Sequence, residues 1–347
     1  MPTPARPTAR TAQRNVTLKD VARAAGVGKS TVSNVLNGSG RVGEAARARV
    51  LETVDKLGYR PHVGARSMRS RRTMQLAYFM PMIQLEPTNL IMMQFMQSLL
   101  TAGARQHYRV LVIAQDADPG DDIRGLAAGR IVDGFVLCEL QPDDRRAELL
   151  AELGMPFACF GRTRPGLPQP WADIDNVAAE AGAVQHVLER GYTRPAYIGY
   201  AAETYWDADR EAGFRVGLAR CGVPGDGAGV LRVSDDASAR AEIRSFLASA
   251  RPDAVLTGSD KLAVIVYSIA AELNLYAGRD LAVLGFDGSV GADLLHPALT
   301  SVVIPVENIA QRVVSRVLRQ IEDGQDTEPG EIVATWLREG ESIPFRR

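Results

Sequence analysis

The chain holds 347 residues, 46% of them hydrophobic and 23% charged, with a formal net charge of −1. Three scattered cysteines (Cys138, Cys159, Cys221) form no metal-ligand pattern and suit a reduced cytoplasm; no apolar run approaches a membrane span, and residues 1–15 lack the apolar stretch of an export signal. The near-zero total hides a segregation: 15 Lys and Arg against 4 Asp and Glu over residues 1–72, then 25 against 37 over residues 73–347. A basic N-terminal fifth on an acidic body is expected when one part neutralises phosphates and the other stays off the nucleic acid.

Residues 1–15, rich in Pro, Thr and Arg, read as a disordered basic tail, and residues 16–61 as an all-α helix-turn-helix domain. Thr17 is a good N-cap, and Leu18, Val21, Ala22 and Ala25 fall at helical spacing. Gly26 supplies the turn, and Val32, Val35 and Leu36 give a second helix an apolar face toward the first. That leaves Lys29, Ser30, Ser33, Asn34 and Asn37 on the outer side, as a recognition helix presents short polar side chains to the major groove. Gly26-Val27-Gly28-Lys29-Ser30-Thr31 imitates the end of a phosphate-binding loop. That loop needs a glycine where this chain has Arg23, and it follows a strand, whereas the preceding segment here is helical. A third helix is expected over residues 43–57, stopped by Gly58 in a left-handed cap; Val50, Val54 and Leu57 close a three-helix core sealed by Tyr59. Residues 62–72 are arginine-dense and carry Gly64 and Ser67, so they are expected to be disordered alone and helical once phosphates cancel their repulsion. Met68, the one large apolar side chain near the end of this hinge, suits a wedge into a minor-groove base step; the alternative is a linker with an incidental methionine.

Thr17-Leu18-Lys19-Asp20-Val21-Ala22, Ala25-Gly26-Val27, Ser30-Thr31-Val32-Ser33-Asn34-Val35-Leu36-Asn37-Gly38 and Leu57-Gly58-Tyr59-Arg60-Pro61 together resemble the DNA-binding end of the LacI/GalR family of bacterial repressors. Weaker similarity extends over almost the whole chain. The resemblance implies that Lys29, Ser30 and Asn34 read bases in the major groove. It implies that Thr17, Leu18, Thr31, Ser33, Asn37 and Arg41 contact phosphates or buttress the helix. His62 and Ala65 match hinge positions that approach the minor groove, although the family commonly has Asn at the position of His62; Met68 stands where the family inserts a leucine.

From Thr73 onward, apolar runs of strand length at 75–80, 109–114, 134–140, 156–160, 194–200, 253–258 and 281–286 alternate with helical stretches at 90–106, 145–153, 177–190, 210–221, 239–250 and 261–273. Such alternation predicts parallel sheets covered on both faces. Residues 73–347 exceed one comfortable α/β unit, so two subdomains are expected: residues 73–174 with 306–332, and residues 175–305 with 333–343. The segment from Pro305 should return to the first subdomain through a helix over 307–321. Small molecules bind such folds at the carboxyl ends of the strands, between the halves. The resemblance implies the same, a periplasmic-binding-protein-like core whose cleft holds an effector, usually a sugar or related metabolite.

Four residues are the candidate effector ligands: Arg162, Arg210, Ser259 and Asp287. Arg162 follows a strand end at Phe160-Gly161, where a guanidinium suits hydroxyls or a carboxylate; the alternative is a salt bridge to Asp173 or Asp175. Arg210, placed at a helix start, matches the arginine of the family's Arg-x-x-Gly-aromatic motif in Arg210-Glu211-Ala212-Gly213-Phe214. Asp287 matches the strand-end aspartate that accepts ligand hydroxyls; capping the following turn is the other reading. Ser259 stands where sugar-binding members often carry Asn, and Gly161 and Ile304 replace polar ligand residues, which points to a ligand bulkier or less hydroxylated than a simple hexose. Trp171, Tyr205 and Trp206 suit either stacking on a sugar or packing. Asp121-Asp122 and Asp143-Asp144 read as helix N-terminal charges, not an acid–base pair.

The expectation is a homodimeric, sequence-specific regulator of transcription, a repressor, bound to double-stranded operator DNA in the bacterial cytoplasm at the nucleoid, controlled by a small-molecule effector and needing no cofactor. An enzyme is opposed by the lack of a Gly-x-Ser-x-Gly elbow or metal cluster and by the scatter of His62, His107, His186 and His296. A transport-binding protein is opposed by the basic N-terminal domain. No heptad pattern follows Arg338 to suggest a coiled-coil tetramer tail.

Overall fold

A computed structural model describes residues 16–37, 40, 42–59, 72–81, 89–115, 119–163, 169–201, 204–224, 229–234, 238–326, 328 and 330–346. Its contacts divide the chain into two units, Met1–Thr73 and Met74–Arg347. The expected tail over residues 1–15, Arg41 and the hinge residues His62, Ala65 and Met68 lie outside the described residues, as does the side chain of Asn37.

Among the described residues, the first unit has three helices, α1 (Leu18–Ala25), α2 (Lys29–Asn37) and α3 (Glu44–Leu57). Thr17 opens α1 with a capping box: its Oγ1 accepts from the Asp20 backbone N–H at 3.3 Å, and the Asp20 carboxylate accepts from the Thr17 N–H at 3.0 Å. Thr17→Ala should therefore cost about 1 kcal/mol of stability in chemical denaturation. Gly26 and Gly58 end α1 and α3 with φ of 64° and 59°, where a Cβ would be strained. Val21, Ala22, Ala25, Val32, Val35, Val50 and Tyr59 form one buried cluster, so three short helices share a single core. One expectation needs correcting. Ser33 does not face outward: it is 5% exposed, because helical stepping sets it beside Val32 and one turn before Leu36 on the apolar stripe.

In the second unit the elements run β1 (Gln75–Pro81), α4 (Leu90–Arg105), β2 (Arg109–Gln115), α5 (Gly120–Ala128), β3 (Gly134–Leu137), α6 (Arg145–Glu152), β4 (Phe157–Phe160), β5 (Trp171–Asp173), α7 (Asn176–Glu189), β6 (Pro195–Tyr200), α8 (Tyr205–Arg220), β7 (Val230–Val233), α9 (Ala239–Ala250), β8 (Ala254–Thr257), α10 (Asp260–Glu272), β9 (Ala282–Asp287), β10 (Thr300–Val303), α11 (Val306–Asp323), β11 (Glu331–Ile332) and β12 (Trp336–Arg338). They build two six-stranded sheets, ordered β11-β5-β4-β3-β1-β2 and β12-β10-β9-β8-β6-β7. Every pairing is parallel except β10 with β12, which is antiparallel with Val302 opposite Leu337. The chain thus forms one lobe, crosses to the second at α7, returns through α11 to pack on β3, β4 and β5, and crosses again to end in β12.

Two packing features position the site. Helix α11 turns Ile309, Ala310, Val313, Val314 and Val317 into the core at i, i+1, i+4 spacing; each aliphatic of this kind contributes roughly 1.5–3 kcal/mol by burial. Helices α7 and α8 approach closely because Gly213 and Gly217 lie between them. A Cβ on Gly213 would fall 2.6 Å from the Val177 carbonyl oxygen, and one on Gly217 2.6 Å from Val184 Cβ.

Some bounds differ from expectation for local reasons. The strand expected to reach residue 140 stops at Leu137, since Glu139 takes a left-handed φ of 49°. Helix α8 begins at Tyr205 rather than near Arg210, so Arg210 lies in its second turn, not at its start. Asp207 fixes that earlier start: its Oδ2 accepts from the Tyr200 N–H at the end of β6, at 3.1 Å.

Candidate ligand cleft and DNA-recognition face

On the first unit, Lys29 and Ser30 are exposed at the start of α2, with Thr31 and Asn34 half-buried along it. Thr17 is exposed and Leu18 half-buried at the start of α1. The helix N-terminus thus offers short polar groups and one cation, the arrangement that enters a major groove, and no strand precedes it as a phosphate-binding loop would require.

The second unit contains a cavity of about 700 Å3 lined from both lobes, and Arg162, Arg210, Ser259 and Asp287 all line it. Arg210 is 5% exposed and fully engaged. Its Nε donates to Asn176 Oδ1 at 2.9 Å, one terminal nitrogen donates to the Gly258 carbonyl at 2.5 Å, and the same nitrogen lies 3.5 Å from Asp287 Oδ1. Its guanidinium lies over the rings of Phe286 (3.8 Å) and Trp206 (4.5 Å). An arginine held by three partners and two rings is a fixed donor plane, not a surface side chain.

Asp287 has φ of 121°, the left-handed side of backbone space, so its carboxyl is presented where β9 ends. It does not cap the following turn. The Gly288 N–H donates to Ser301 Oγ at 3.1 Å and the Ser289 N–H to Asp260 Oδ2 at 2.6 Å, while the Asp287 carboxyl accepts from the Asp260 N–H and faces Arg210. Burial pushes that carboxyl well above the usual carboxylate range, against the pull of Arg210. Ser259 caps α10, its Oγ accepting from the Leu262 N–H at 3.2 Å while lying 2.9 Å from the Tyr200 hydroxyl.

Arg162 projects from the end of β4. Its Nε donates to Asp173 Oδ2 at 2.9 Å, as the salt-bridge alternative foresaw, and a terminal nitrogen donates to Asp209 Oδ2 on α8 at 3.0 Å. Tyr205 and Trp206 line the cavity. Trp171 packs instead under the Arg162 guanidinium, 5.4 Å from its ring centre.

Several residues escaped sequence reasoning. Asp144 is the N-cap of α6, as a helix-end charge should be, yet it also holds Arg146 at 2.6 Å with both side chains buried. Arg146 in turn donates to the Cys138 and Glu139 carbonyls at 3.0 and 3.1 Å, stapling the left-handed turn at the cleft wall. Thr204 Oγ1 and Trp206 Nε1 are buried without a hydrogen-bond partner among the described residues, and both residues line the cavity. Glu180 on α7 is fully buried, and neither carboxyl oxygen has a hydrogen-bond partner among the described residues. Burial pushes it up to about 8, against the attraction of Arg210 and with help from Asp207; burial likewise raises Asp207 to about 6. No sequence signal separates this Glu from a solvated helix residue.

A helix-turn-helix unit joined to a two-lobed α/β unit with a polar cleft defines a class: a DNA-binding regulator that also receives a small molecule. Residues 17–62 match the family model of bacterial regulatory proteins of the lacI family, and residues 184–343 match that of the periplasmic binding protein-like domain. The HTH-type transcriptional regulator CelR of Thermobifida fusca is 31% identical over 92% of this chain and 96% of its own length. HTH-type transcriptional regulator DegA of Bacillus subtilis is 27% identical over 84% of this chain and 88% of its own. Among solved structures, the CelR–cellobiose complex superposes with a TM-score of 0.70 at 28% identity, covering 94% of this chain and all of that one. The Lac repressor dimer bound to operator and an anti-inducer gives 0.82 at 19% identity, over 95% of this chain and all of its own, a likeness of fold.

The chain belongs to the LacI family of bacterial transcription regulators. It is a sequence-specific DNA-binding regulator and not an enzyme. No helix among the described residues is long and apolar enough to cross a membrane, and no group of three His, Cys, Asp or Glu among them is placed to hold a metal ion.

Proposed function

We propose that this protein is a homodimeric repressor, working in the cytoplasm at the nucleoid, whose operator affinity is set by an uncharged sugar of disaccharide size or larger bound between the lobes. The observation that carries the effector class is charge matching. Among the described residues, five cations line the cleft (Arg145, Arg146, Arg162, Arg210, Lys261) against six acidic side chains (Glu139, Asp143, Asp144, Asp173, Asp260, Asp287), and Arg146, Arg162 and Arg210 are each held by an aspartate. Among these residues no net positive charge remains to take a phosphate or carboxylate out of water. The volume exceeds what one pyranose needs, and the Trp206 indole and Thr204 hydroxyl supply unclaimed polar atoms for sugar oxygens. Arg210, Asp287, Ser259 and Arg162 are the residues assigned to hold it. CelR, which was solved with cellobiose, supports the same class.

On the DNA side, Lys29, Ser30 and Asn34 are assigned to base edges, and Thr17, Leu18, Thr31, Ser33, Asn37 and Arg41 to phosphates or support of the helix. His62 and Ala65 are assigned to the minor-groove approach and Met68 to a wedge there. Two recognition helices of a dimer would meet successive major grooves of a near-palindromic site.

Calorimetry tests the effector class: cellobiose should bind and glucose 6-phosphate should not. Binding of the phosphate in preference to the neutral disaccharide would overturn it. Separately, Met68→Ala should weaken operator binding about tenfold and leave sugar binding unchanged, since the kink that admits the hinge costs a few kcal/mol; undiminished operator affinity would remove the wedge.

A further inference from the structure

The assignment of the cleft to an effector leaves open what fixes the angle between its lobes before any effector enters. Contacts that cross the cleft are therefore informative. Leu90 at the start of α4 lies against Gly291 of the second lobe, where an added Cβ would come 2.7 Å from Leu90 Cδ1; that contact is apolar and has no direction. A second contact is directional. Arg162 belongs to the first lobe, at the end of β4, and Asp209 to the second, on α8 next to Arg210. Their hydrogen bond is 3.0 Å long.

The geometry of Arg162 makes that bond more than a chance surface pair. Its Nε is anchored on Asp173, whose side chain is 6% exposed, and its plane rests on the Trp171 ring. The fork is thus oriented before Asp209 meets it, so little side-chain entropy is lost in the crossing contact. Arg162 and Asp209 are 34% and 29% exposed, shielded enough to feel each other and open enough to part. Asp175, which also repels the Asp209 carboxylate, stands at the start of α7, so Arg162 is the cation that offsets a local surplus of negative charge.

We propose that Asp209 is a positioning residue of the effector cleft: through Arg162 it ties the second lobe to the first and sets how far the cleft opens when no effector is bound. This rests on the reading of the cleft as the effector site, but it is tested without any effector. Cys221 is exposed at the end of α8, Cys138 and Cys159 are buried, and Glu152 is exposed at the end of α6 on the first lobe, so Glu152→Cys creates a labelling pair across the cleft. Nitroxides on Cys221 and on the introduced thiol report the lobe separation in the ligand-free full chain by pulsed electron resonance.

Asp209→Asn should raise the population at longer separation roughly three-fold, a size suited to a half-exposed ion pair. Asp209→Glu should keep the original distribution. Arg162→Lys, which loses the fork needed to hold Asp173 and Asp209 together, should act like Asp209→Asn, and the double variant should add nothing beyond either single one. A wild-type distance distribution in Asp209→Asn, or additive effects in the double variant, would overturn the proposal. A sugar screen that finds no ligand would overturn the effector class instead and leave this result standing.

Discussion

Arg210→Ala should abolish sugar binding and lower the stability of the α/β unit by about 1–3 kcal/mol, because it takes the donor away from the buried Asn176, Gly258 and Asp287 acceptors. The loss has two separable parts. Arg210 spans Asn176 at the start of α7, the Gly258 carbonyl after β8 and Asp287 at the end of β9, so it joins three segments at the floor of the cleft. Adding Asp287→Asn to Arg210→Ala removes the stranded carboxyl and should recover part of the stability in chemical denaturation, while calorimetry with cellobiose should still show no binding. Wild-type affinity for the sugar in Arg210→Ala would refute the assignment of this arginine to the effector.

The second large effect concerns Glu180, and it depends on pH. Its folded-state value lies near 8, above the ordinary 4.5 that the unfolded chain restores, so the folded state binds this proton more tightly. Stability from that proton is fully present below about 4.5 and is lost as pH rises through 8. Glu180→Gln keeps the shape of the protonated acid without the linkage. The variant should match the wild type near pH 4 and exceed it by about 4 kcal/mol at pH 7.5, since each pH unit between the two values is worth about 1.4 kcal/mol. Asp207, raised to about 6 by burial, adds a smaller loss of the same sign between the ordinary carboxylate value and pH 6. A pH-independent difference between variant and wild type would show that Glu180 is ionised in the fold or does not titrate there.

What the sequence disclosed follows from periodicity and from strong local signals. Buried parallel strands such as Gln75–Pro81 and Ala282–Asp287 carry apolar runs long enough to stand out, and the caps at Thr17, Gly26 and Gly58 are written in single residues. Trp171–Asp173, Val230–Val233, Glu331–Ile332 and Trp336–Arg338 escaped because two to four residues show no period. Helix α5 shows no clear apolar period in the sequence, although the Asp121-Asp122 pair marks its first turn. Motifs and strand ends mark Arg162, Arg210, Ser259 and Asp287 as candidates, and all four line one cavity. Their partners were not legible. Asn176 and Asp209 are distant in sequence from Arg210 and Arg162, the arginines they hold, and Glu180 lies against Gly213, where α7 and α8 approach.

In the proposed function one chain couples a duplex and a sugar. An operator selected by the protein from a random-sequence duplex pool allows a direct measurement: its affinity against a scrambled duplex at moderate ionic strength, with and without saturating cellobiose. The selected site should be preferred by about 10^3-fold or more, its affinity should shift by about 5- to 150-fold with the sugar, and sugar affinity should change by the same factor when operator is added. Equal binding to both duplexes, or an operator affinity indifferent to every neutral sugar that the cleft binds, would contradict the proposed function.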